Sequence, residues 1–198
     1  MAFAQVEALC KTTPEGRAAL DTLQKFGVKI VYATTNLPAS YVGGKDNTCT
    51  LDNTMGDEKL ASYFVHEMTH ARQQNLGKSL DIATSEKADY VKNAVDEEFL
   101  ATAFQMQFFV RLDIGGSLAK IKPLSDRNAP PRYDQYKSAF DFGFKRAATT
   151  ETDPDKRISL GLGNANQMLK VFIYEGGLGV GAATYRDFYA RKWREAHP

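Results

Sequence analysis

From residue 85 to residue 112 the chain reads as a single unbroken helix, closed only at Gly115-Gly116. Its apolar residues, Phe99, Leu100, Phe104, Phe108, Phe109 and Val110 among them, do not keep to one stripe. A helix that is apolar on most sides cannot lie on a surface. It must be surrounded by other elements, so the rest of the chain is expected to pack around it.

There is enough chain to do so. At 198 residues, 43% of them hydrophobic and 25% charged, the composition is that of an ordinary globular protein and excludes collagen-like and wholly disordered classes. The length favours one domain: a part over residues 1–127 that holds the expected sheet and the helices after it, and a helical part over residues 128–198, joined at Asn128-Ala-Pro-Pro131. The 25 Lys and Arg against 24 Asp and Glu leave a formal charge of +1, without the basic excess that phosphate binding requires, so nucleic acid is not the expected partner. No apolar run reaches the roughly 18 residues of a membrane span. The first ten residues lack a basic start and carry Glu7 in their apolar stretch, a poor signal peptide; the expected location is cytoplasmic, or exported without a recognisable signal. Cys10 and Cys49 do not form a CxxC pair and read as two buried thiols, with a single disulfide as the alternative.

Local signals place the remaining elements. Thr13 as N-cap, Pro14 at the first helical position and Gly27 past the end bracket a helix. Residues 28–33, 40–42 and 47–51 alternate and are rich in β-branched side chains, so three strands are expected. A helix over 58–76, with Asp57 as its cap and Gly77 as its stop, follows them. Beyond 131, helices are expected over 133–149, 154–174 and 182–196. The class is α+β: a small three-stranded sheet and a mostly helical remainder.

The chemistry is concentrated in His66-Glu67-Met68-Thr69-His70. On a helix, positions i and i+4 share a face, so both imidazoles can reach one metal ion. Glu67 lies beside that face, within reach of a metal-activated water without being a ligand. The chain has only three histidines, two of them in this motif. A chance match on an ordinary helix is the competing explanation.

A catalytic zinc site needs a third protein ligand. No histidine follows His70 closely, and His197, next to the last residue, reads as a frayed terminus. The nearby acidic cluster is Asp96-Glu97-Glu98. Glu98 has Ala94, Val95, Ala101 and Thr102 at helical spacing, an apolar setting in which an unsatisfied carboxylate is costly and ligation would satisfy it. Asp96 shares its face with Lys92 and Asn93 and reads as solvated. Glu98 is therefore the first candidate and Glu97 the second, with an acidic surface patch as the alternative to both.

HExxH followed by Glu-Phe-Leu-Ala101 on a second helix resembles the gluzincin branch of the zincin metallopeptidases. Residues 13–107 are also similar to small bacterial metallopeptidase families of unknown function. The resemblance covers about half the chain. It implies a zincin-like fold, Zn2+ held by His66, His70 and Glu98, Glu67 as general base, and a peptide or protein substrate. It further implies that strand 47–51 is a sheet edge to which a peptide adds as an extra strand. The sequence departs from the pattern at Thr102, where some gluzincins place an Asp that orients the first histidine. That departure keeps a second reading open, an inactive zinc-binding domain acting through a protein partner. Tyr133, Tyr136, Tyr174, Tyr185, Tyr189 and Arg132 are candidate oxyanion donors with nothing to choose among them. The glycine-rich 176–181 lacks the context of a phosphate loop and reads as a flexible turn.

Overall fold

Thr13 and Gly27 work as their side chains and backbones predict. In the computed structural model, which describes residues 3–114 and 129–198, α2 (Pro14–Phe26) follows α1 (Phe3–Cys10) directly. Thr13 Oγ1 accepts the Gly16 N–H at 3.0 Å, and Gly27 closes the helix at φ 62°, a left-handed conformation that costs glycine least. α1 has no counterpart in the local signals. It forms because Val6 and Cys10, one turn apart, are both fully buried, and it packs against α2 and α3 (Asp57–Asn75).

The strands are β1 (Lys29–Ala33), β2 (Ala39–Val42) and β3 (Thr48–Asp52), in the order β1-β3-β2, with β3 parallel to β1 and antiparallel to β2. The expected edge strand is thus the central one. β3 follows a turn after β2 and inserts beside β1, so both its hydrogen-bonding sides are occupied and no peptide can add to it; the edges are β1 and β2. Register puts Ile30, Cys49 and Tyr41 side by side, and likewise Tyr32, Leu51 and Ala39. Cys49 and Leu51 are wholly buried, and α3 packs against β2 and β3 on this face. The opposite face carries Val31, Thr50, Ser40 and Val42, and leaves both valines exposed.

α3 starts at Asp57, with Gly56 rather than Asp57 at the cap; Asp57 and Glu58 instead sit in the first turn, where they favour the helix dipole. α4 (Lys87–Ile114) is the long helix, continuous over 28 residues. Phe108, Phe109, Val110 and Leu112 are buried. Phe99, Leu100 and Phe104, expected in the core, are half-buried, because Leu100 and Phe104 line an open cavity with residues of α2 and α3 while Phe99 turns its ring toward Tyr174. Arg111 Nε meets the buried Glu15 carboxylate at 3.0 Å and ties α4 to α2.

The chain groups into two compact units, Met1–Ser79 with Leu100–Pro130, and Leu80–Phe99 with Pro131–Pro198. Gly115-Gly116 and Asn128 lie outside the described residues. In the second unit α5 (Tyr133–Ala147) and α6 (Pro154–Tyr174) pack as a helical hairpin. They approach where Gly143 faces Gly161: a Cβ on Gly161 would sit 2.8 Å from the Phe140 ring. The glycine-rich segment is not a plain turn; it holds a two-stranded antiparallel pair, β4 (Gly179–Val180) and β5 (Ala183–Thr184), with Gly181 in its turn at φ 62°. Thr184 then caps α7 (Tyr185–Ala196), its Oγ1 accepting the Asp187 N–H. The architecture is α+β and mostly helical. No described helix is long and apolar enough to cross a membrane.

Candidate metal centre

α3 presents His66 and His70 one turn apart on a half-buried face. Their Nε2 atoms converge to 3.2 Å, with ring centroids 4.9 Å apart. α4 supplies Glu98, buried as its apolar neighbours require. One ligand atom from each of His66, His70 and Glu98 lies within 4.8 Å of the others, and among the described residues no other group of three or more His, Cys, Asp or Glu side chains meets this test.

The donor set fits a borderline-soft divalent cation: two imidazole nitrogens and a carboxylate oxygen, with room in a tetrahedral shell for one more ligand. Two nitrogens each about 2.0–2.1 Å from one tetrahedral ion stand about 3.3 Å apart, against the 3.2 Å between the two Nε2 atoms. At this separation one ring's Nε2–H also serves the lone pair of the other, and a cation would take the place of that proton.

The neighbouring acidic residues have other roles. Asp96 accepts from Lys92 Nζ at 2.6 Å and from the Tyr174 hydroxyl. Although burial opposes it, these bonds and the positive charge of Lys92 hold the Asp96 carboxyl below its usual range. Glu97 is half-buried, and its charge helps raise the Tyr90 phenol, after burial. Glu67 is half-buried on α3. Its carboxylate is near enough to add to the effect of burial on the Cys49 thiol and the Tyr63 phenol, pushing both up.

Of the six candidate donors, Tyr189 stands at the site: its phenol donates to Glu98 Oε1 at 2.5 Å. Burial, then the Glu98 charge and this hydrogen bond, hold the Tyr189 hydroxyl far above the usual tyrosine range, so it stays protonated. Tyr136 is committed to Asn166 and Tyr174 to Asp96, while Arg132 lies over the Phe172 ring. No local pattern marks Tyr189, which is 91 residues from Glu98. His197 is not frayed: it caps α7, stacks on Trp193 with centroids 4.0 Å apart, and takes no part in the triad. Thr102 Oγ1 is buried and makes no hydrogen bond among the described residues. Cys10 and Cys49 are separate buried thiols.

No family model matches this chain, and no curated protein or solved structure matches it either.

Proposed function

We propose that this chain is a zincin-like, zinc-dependent metallopeptidase that hydrolyses peptide bonds. The observation that carries the reading is the convergence of His66, His70 and Glu98, three donors from two helices within 4.8 Å, around an HExxH motif. Zinc, when bound, lowers the pKa of a coordinated water to about 7 and polarises a carbonyl. His66 and His70 supply neutral nitrogen donors, and Glu98 supplies the anionic one. Glu67, adjacent to the first histidine, takes the proton from the attacking water and returns it to the leaving amine. Glu67 is not one of the three converging donors, which leaves it available as a base rather than a ligand.

Glu67→Gln tests this assignment. The variant keeps its zinc, and peptide hydrolysis falls by about 10²–10⁴-fold, the range that a general base contributes. Full activity in the variant contradicts the role.

One observation favours the second reading, a zinc-binding domain that does no chemistry. Thr102 stands where some zincins have a carboxylate that orients a histidine ligand, and its hydroxyl meets no hydrogen-bond partner among the described residues. A peptide-library digest with and without chelator separates the two. Chelator-sensitive cleavage supports the peptidase; bound zinc with no cleavage supports the partner-binding domain.

A further inference from the structure

We propose that Tyr189 is a positioning residue for the ligand Glu98: its phenol holds one carboxylate oxygen and so biases Glu98 toward one-oxygen ligation of the cation. The inference rests on the metal centre proposed above and gives α7 a part in it.

A carboxylate can bind a cation through one oxygen or two, and it swings between the two modes unless something holds it. Glu98 Oε1 already accepts the Tyr189 hydroxyl at 2.5 Å, a short hydrogen bond to an ionised group and so among the strong ones. The hydroxyl is itself fixed in place. The Tyr189 ring meets the rings of Tyr90 and Phe188 edge to face, at 6.2 and 5.1 Å between centroids. α7 is held at its start by the Thr184 cap and further along by Trp193, whose Nε1 donates to Ser85 O at 3.0 Å. Donors behind metal ligands of this kind orient them and raise their affinity. By claiming Oε1, Tyr189 makes two-oxygen ligation unfavourable, so the protein contributes three donor atoms and a coordination position stays open for water.

Tyr189→Phe removes the hydroxyl and keeps the ring. Tyr174→Phe is the control, because it removes a phenol from Asp96, a neighbouring carboxylate on the same helix that is outside the triad. Each protein is stripped of metal, then titrated with zinc against a chromophoric chelator and loaded with cobalt for visible spectroscopy. The expected result is a zinc dissociation constant about 10–100-fold higher for Tyr189→Phe, with weaker cobalt bands as Glu98 takes up two-oxygen ligation, and wild-type values for Tyr174→Phe. A Tyr189→Phe protein with the wild-type constant and spectrum overturns the inference. Should that variant not fold, zinc-edge X-ray absorption on the wild-type protein decides: one Glu98 oxygen on zinc supports the inference, and two overturn it. Failure of the wild type to bind zinc removes the metal centre itself, an outcome distinct from a wild type that binds zinc with no dependence on Tyr189.

Discussion

Single side chains in this protein are governed by what surrounds them. Cys10 is fully buried, and burial, helped by the charge of Glu7, pushes its thiol up to about 12. Cys49 is just as buried and is also pushed up, with Glu67 adding to the effect. Because the thiolate is the reactive form, neither cysteine of the folded protein should react with a thiol reagent at neutral pH, and both should react once it is unfolded. Fast labelling of either in the native state, read by mass, contradicts the packing described here. Glu98 follows the same logic from the opposite side. Its apolar neighbours at helical spacing made its burial legible in the sequence, and a buried carboxylate needs a partner. Which partner was not legible. Tyr189 differs from five other candidates only through the tertiary fold, and a hydrogen bond spanning 91 residues leaves no local trace.

Elements with strong punctuation could be read; elements without it could not. α2 has a capping threonine, a proline and a closing glycine, and begins and ends where they dictate; α6 has Asp153 before Pro154 and begins where they dictate. α1 has no cap and is held only by tertiary burial of Val6 and Cys10, and β4 and β5 are too short to show alternation. Strand order was illegible for a different reason. All three strands of the larger sheet carry the same alternating pattern, and nothing in that pattern says which of them lies in the middle. Helix packing supplies a sharp test. Gly161→Ala drives a methyl to 2.8 Å from the Phe140 ring, whereas Gly163→Ala, two residues along the same helix, meets nothing within 4 Å. Urea unfolding should show the first variant destabilised by about 1–3 kcal/mol through overpacking. The second should be stabilised by roughly 0.5–1 kcal/mol, since alanine is the better helix former. Equal stabilities would contradict the close approach of α5 and α6.

At the scale of the whole molecule, the proposed cation binds only the folded chain, because its ligands lie on α3 and α4 and come together through folding. Folding and metal binding are therefore linked. Zinc at a hundred times its dissociation constant should stabilise the protein by about 2.7 kcal/mol, and chelator should remove that gain. A thermal unfolding midpoint that responds to neither would mean that no such linkage exists.

The most direct measurement of the central claim is the zinc content of three purified proteins: wild type, Glu98→Gln and Glu97→Gln. Since His66, His70 and Glu98 form the group within 4.8 Å and Glu97 stands outside it, wild type and Glu97→Gln should each hold about one zinc per chain and Glu98→Gln far less. Zinc retained in full by Glu98→Gln, or absent from the wild type, would contradict the account.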